Sequence, residues 1–163
     1  MKRLPIALTL IALATALPST AADKFADYKA MAKQQASNYA AEKLNLPTPA
    51  PAGARAYFPT LKDGDTVSSP VTVVFGVSNI GVAPAGTQVD GTGHHHLLID
   101  DPTIDYTVPM PATDNVKHFG KGQTETVLAL KPGKHTLQLV FGDWKHQAFN
   151  PSIQSDKITI TVK

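Results

Sequence analysis

Ile158-Thr159-Ile160-Thr161-Val162 alternates apolar and polar residues with a period of two. A β-strand with one buried face sorts such residues onto opposite sides, whereas a helix would scatter them around its circumference. The same alternation recurs upstream, where Val71, Val73, Phe75 and Val77 interleave with Thr72, Val74, Gly76 and Ser78, and where Leu137, Leu139 and Phe141 interleave with Thr136, Gln138 and Val140. Residues 56–61, 94–100, 104–108 and 124–130 complete a set of about seven strands, the number that builds an immunoglobulin-like sandwich. Strong breakers at Lys62-Asp63-Gly64-Asp65 and Lys131-Pro132-Gly133-Lys134 agree with this reading. The prediction for residues 56–163 is therefore an all-β, immunoglobulin-like (Greek-key) β-sandwich; a cupredoxin-like or superoxide-dismutase-like Greek key would give a similar strand pattern.

Outward from the strands, the chain changes character. Pro47-Thr48-Pro49-Ala50-Pro51-Ala52-Gly53 cannot continue a helix, because proline lacks the amide donor, so residues 47–55 read as an extended linker. Before it, Phe25, Tyr28, Ala32, Ala36 and Tyr39 recur at spacings of three or four and predict an amphipathic helix over 22–46, with Asp23 at its start. Its aromatic stripe is expected to dock on the domain's own surface, with an envelope protein as the alternative partner for residues 23–46.

The first residues, Met1-Lys2-Arg3 followed by an apolar run from Leu4 to Leu17 and by small residues at Ser19 and Ala21, have the form of a signal peptide covering 1–21, too short for a stable membrane span. The expected location is periplasmic or secreted. Cleavage there would remove Lys2 and Arg3 from the 15 basic residues and none of the 13 acidic ones, so the formal charge of +2 would fall to zero. A neutral chain without a Lys/Arg cluster gives no basis for nucleic-acid binding.

The chain contains no cysteine, which excludes disulfides, thiolate zinc sites, catalytic thiols and blue-copper centres. Histidine carries the remaining chemistry. With the seven predicted strands lettered A to G in chain order, His94, His95 and His96 open strand C, His118 falls in the D to E loop (109–123) and His146 in the F to G loop (142–155), all at one end of the sandwich. His135 maps to the other end and is expected to be structural. If Leu97 and Ile99 face the core, His94 and His96 project together from the opposite face. His118 is the best third ligand and His146 a fourth, with Asp143 or Asp90 as oxygen donors. Neutral imidazoles suit Cu(II) or Zn(II), so the expected partner is a divalent metal ion or small ligand and the expected cofactor is Cu or Zn. The competing expectation is a structural or adhesive envelope module whose histidines tie loops to the sandwich. Met110, lying between Pro109 and Pro111, is not counted as a ligand.

No catalytic set is predicted. Gly120-Lys121-Gly122 precedes no helix that could offer its N-terminus to phosphate, and Thr66, Ser68 and Ser69 have no neighbouring base. Glu125 and Asp143 are the only carboxylates that a metal-assisted enzyme could use, and Trp144 could stack a ligand or anchor its loop.

Residues 56–163 also resemble a bacterial family, domain-of-unknown-function family 4399. The resemblance rests on Lys62-Asp63-Gly64, Ser69-Pro70-Val71, Gly81-Val82-Ala83-Pro84-Ala85-Gly86, Thr92-Gly93-His94-His95-His96-Leu97-Leu98-Ile99-Asp100, the segment from His118 to Glu125, the segment from Pro132 to Leu139, and Gly142-Asp143. It implies an exported envelope protein and supplies no activity. The family pattern favours histidine directly after Gly-Asp, where this chain has Trp144, with His146 two residues later.

Overall fold

The computed structural model describes residues 19–44 and 46–163. The greater part of the signal-peptide segment, residues 1–18, lies outside them. Helix α1 spans Ser19–Lys43, so Asp23 lies inside the helix and does not cap it. No helix among the described residues is long and apolar enough to cross a membrane. The chain divides between Ala36 and Ser37 into two units, and the larger, residues 37–163, holds every described strand. Within that unit Tyr39 is 63% exposed while Ala41 is buried, so the aromatic stripe expected to dock does not do so at Tyr39.

The strands are β1 (Arg55–Tyr57), β2 (Thr66–Val67), β3 (Val71–Val74), β4 (Gly76–Ser78), β5 (Gly81–Val82), β6 (Thr92–Ile99), β7 (Val116–His118), β8 (Glu125–Leu128), β9 (Gly133–Gly142), β10 (Ala148–Gln154) and β11 (Ile158–Val162). They form an immunoglobulin-like β-sandwich. In one layer β1 pairs with β4, and β3, separated from β4 only by Phe75, pairs antiparallel with β8. The Phe75 amide bonds to the Thr124 carbonyl and carries the β8 pairing across that break. In the other layer the order is β2-β11-β9-β6-β5, with β5 parallel and β7 antiparallel to β6 and β10 alongside the end of β9. The edge strand β2 runs parallel to β11.

Eleven segments replace about seven for identifiable reasons. β10 and β11 follow one another along the same side of β9, interrupted where Ser155 substitutes its hydroxyl for a ladder carbonyl and accepts the Leu139 amide at 2.9 Å. The connection expected at 142–155 thus contains β10. The strand expected at 104–108 does not form: Asp105 Oδ1 accepts both the amide and the hydroxyl of Thr107, closing a turn, and Pro102, Pro109 and Pro111 remove ladder donors. The strand that follows β6 and pairs antiparallel with it is instead β7.

Between the layers lie Val73, Leu97, Leu137, Leu139, Phe141 and Ile160, all fully buried, with Phe75, Ile99 and Phe149 beside them. A smaller cluster, Leu98, Met110, Val116, Val140 and Ala148 with Ile104 and Tyr106, sits on the outer face of the β6–β9 sheet. It explains why β6 is buried on both faces: the irregular segment 100–115 folds over the side that alternation would leave to solvent.

The proline-rich segment turns at Ala52-Gly53 and enters β1 at Arg55, and before that turn it is tied to the residues around Asn150. Pro49 bridges to Asn150, Ala50 donates to the Asn150 carbonyl at 3.0 Å, and Asn150 donates to the Thr48 carbonyl at 2.9 Å.

Candidate metal centre

Alternation along β6 places Leu97 and Ile99 in the main core, and His94, His96 and Leu98 on the outer face. His95 belongs to the inner set; its ring lies 5.2 Å from that of Phe75 and 4.9 Å from that of Phe141. His118 reaches the outer face from β7, where it stands directly opposite His96 in the antiparallel register. It therefore comes from a strand and not from a D to E loop. A residue directly opposite on a neighbouring strand is within side-chain contact, and the His96 and His118 rings are 5.0 Å apart.

His146 arrives from the turn between β9 and β10. Its φ of 67° is left-handed, a conformation that a non-glycine residue holds only where its surroundings enforce it. Asp143 supplies the enforcement. Its Oδ1 accepts the amides of Lys145 and Gln147 at 2.8 and 3.0 Å, and its backbone carbonyl accepts the His146 amide at 2.9 Å. Its Oδ2 accepts the Thr48 hydroxyl at 2.6 Å. The His146 carbonyl in turn accepts the Met110 amide at 2.8 Å.

The four imidazoles of His94, His96, His118 and His146 form one cluster on this face, with a potential ligand nitrogen from each lying within 4.8 Å of the others. Ring centroids are 4.8 Å apart for His94 and His96, 5.0 Å for His94 and either His118 or His146, and 4.5 Å for His118 and His146. In the tetrahedral shell that zinc takes, donors about 2.0–2.1 Å from the ion lie roughly 3.4 Å from one another, so the ring nitrogens, now within 4.8 Å, would close by up to roughly 1.4 Å to complete it. His94 and His96 form the buried floor; His118 and His146 are half-buried and form the solvent side.

Two glycines make room for the rings. A Cβ on Gly120 would sit 2.3 Å from His118 Cε1, and a Cβ on Gly142 would sit 2.8 Å from His96 Cε1.

Both ring nitrogens of His94 and of His96, and Nε2 of His118, are buried without a hydrogen-bond partner among the described residues. Such groups ordinarily find partners, and each orphan costs about 1–3 kcal/mol. Burial pushes His96 down to about 2 and His94 to about 3, and the neighbouring imidazoles add to both shifts. Burial and His146 lower His118 in the same way. The floor of the cluster is therefore neutral at pH 7, which is the ligating form.

The other sequence candidates fall away from the cluster. Asp90 accepts a hydrogen bond from Asn38 at the surface. Glu125 is exposed on β8, in the opposite layer. Asp143 is buried and near, but both its oxygens are engaged as described. His135 is structural, as expected: Nδ1 lies 3.0 Å from both Asp100 carboxylate oxygens and Nε2 lies 2.9 Å from the Lys131 carbonyl. Sequence reasoning set aside one neighbour of the cluster, Met110, whose methyl lies 3.0 Å from the point that a Gly142 side chain would occupy.

No curated protein matches the chain. Among solved structures, fibronectin(III)-like modules of CbhA from Clostridium thermocellum align at 10% identity over 66% of this chain and 92% of theirs, with a TM-score of 0.31. One family model covers residues 73–163, a segment that begins in β3 and includes all four clustered histidines. Since that segment is more than half of the chain, the protein belongs to the family described as a domain of unknown function, DUF4399.

Proposed function

We propose that this is an exported, non-enzymatic β-sandwich protein that binds a divalent metal ion, copper or zinc, through His94, His96, His118 and His146. One observation carries the reading: four imidazoles converge from β6, β7 and the β9–β10 turn, and those of His94, His96 and His118 have buried nitrogens with no hydrogen-bond partner among the described residues. Chemistry narrows the ion, since an all-imidazole set suits copper and zinc and offers little to calcium or magnesium, which take oxygen ligands. The competing reading, histidines that tie loops to the sandwich, requires imidazole bonds to loop carbonyls. His94 and His96 make none among the described residues, whereas His135 makes that kind of bond at the other end. Export is taken from the charged start, apolar run and small residues of 1–21. A periplasmic or secreted protein meets extracytoplasmic metal directly.

Calorimetric titration of tag-free protein with Cu(II) and Zn(II) tests the proposal. Saturable one-to-one binding is expected, weakened at least tenfold in His96→Ala and His118→Ala and unchanged in His135→Ala. Absence of saturable binding, or equal loss in all three variants, would reject it.

A further inference from the structure

Met110 takes no part in the reading above, yet the fold holds it against the cluster. It is 6% exposed and packs with Leu98, Val116, Val140 and Ala148 on the same face as His94 and His96. The point where a Gly142 side chain would begin is 3.0 Å from the Met110 methyl and 2.8 Å from His96 Cε1, so glycine is the residue that lets these two groups approach. The Met110 amide is also bonded to the His146 carbonyl. The flanking prolines explain this placement: with φ fixed and no amide to donate, Pro109 and Pro111 keep the segment from pairing as a strand. It crosses the sheet face instead, and Met110 supplies the amide that anchors it.

The donor set has a further property. Four imidazoles and a thioether are all neutral, and the one carboxylate close by, that of Asp143, is committed to Lys145, Gln147 and Thr48. Thioether sulfur selects Cu(I) and adds little for zinc. Methionine's three rotatable bonds allow its sulfur to turn toward a neighbouring ring site.

Resting on the four-histidine reading, we infer that Met110 is a soft donor to this site that takes the place of one imidazole when the ion is cuprous, raising the affinity for Cu(I) and not that for zinc. The test compares the tag-free full chain with Met110→Leu, a volume-conserving change that a core tolerates. Cu(I) affinity is measured anaerobically by competition with bicinchoninate, Zn(II) affinity by competition with a chromophoric chelator, and copper ligation by K-edge absorption. The chain has no cysteine, and its other methionines are Met1 and Met31, so a copper–sulfur contact that vanishes in Met110→Leu belongs to Met110. The expected result is a Cu(I) affinity lower by about tenfold or more in the variant, Zn(II) affinity within twofold, and a sulfur scatterer in the wild type alone. Equal weakening for both ions would make Met110 a packing residue and overturn the inference. Unchanged Cu(I) affinity with nitrogen scatterers only would also overturn it, while leaving the histidine site intact. Failure of the wild type to bind either ion would instead remove the four-histidine reading itself. If the variant fails to fold, the wild-type absorption spectrum still decides whether sulfur binds copper.

Discussion

Gly120→Ala separates the metal site from the fold that carries it. The new methyl would lie 2.3 Å from His118 Cε1, 2.6 Å from His118 Nε2 and 3.2 Å from the Ala85 methyl. Gly120 is not among the residues with positive φ, so alanine meets no backbone strain there, and the ring must give way. His118 is half-buried at the end of the short strand β7, so its imidazole can rotate toward water. For the unliganded protein the terms nearly cancel. Alanine restricts the unfolded chain by about 0.4–1 kcal/mol, and a freed Nε2 regains hydration worth about 1 kcal/mol, against lost ring packing. Stability should stay within about 1 kcal/mol of wild type. The metal site loses one of its four donors, which costs at least the roughly 10–100-fold that loss of an outer-shell partner costs. At a free zinc concentration a hundred times the wild-type Kd, binding stabilises the wild type by about 2.7 kcal/mol, and the variant by at most about 0.4–1.4 kcal/mol. Urea unfolding with and without zinc reads both quantities. An unchanged zinc increment would show that His118 is not a ligand, and a loss of several kcal/mol without zinc would show that the ring cannot move as argued.

Three further outcomes are expected. Replacing His95, whose two ring nitrogens are buried without partners between Phe75 and Phe141, by leucine should raise stability by about 1–3 kcal/mol and leave metal affinity unchanged, as checked by urea midpoint and calorimetry. In the metal-free protein His94, His95 and His96 are held down to about 3, 4 and 2 by burial, so the unfolded chain binds more protons below pH 6.5. Stability should fall as pH drops from 6.5 toward 4, with a slope approaching about 4 kcal/mol per pH unit for three protons, and a flat melting temperature over that range would contradict the burial. His135 has the opposite sign: the Lys131 carbonyl and the Asp100 carboxylate raise it, so its contribution is complete below pH 6.5 and lost as pH rises through the raised value. Melting curves of His135→Gln should lack that alkaline decline.

The strands with one buried face were readable because their period of two survives in the structure: β11 buries Ile158, Ile160 and Val162, and β9 buries Leu137 and Leu139. The paired projection of His94 and His96 follows from the same rule, given that Leu97 and Ile99 face the core. Alternation failed to show that a loop would cover the outer face of β6, because burial by segment 100–115 comes from contacts between Met110, Ile104 or Tyr106 and residues far along the chain. The pairing of β7 with β6 was hidden for a related reason. Three residues are too few to display a period, and the alternating stretch Ile104-Asp105-Tyr106-Thr107-Val108 imitated a strand whose ladder its own Asp105 prevents. The role of Asp143 was masked by its chemistry: a carboxylate reads as an oxygen donor to metal, and its use in shaping the turn that presents His146 depends on amides that a sequence does not order in space.

The central claim is that His94, His96, His118 and His146 share one ion. Anomalous diffraction at the zinc edge from crystals of zinc-loaded protein tests it most directly. The account predicts a single strong peak about 2.0–2.1 Å from a nitrogen of each of the four rings, on the outer face of the β6–β9 sheet beneath Met110. A peak at His135, at surface carboxylates, or none at the cluster would contradict it.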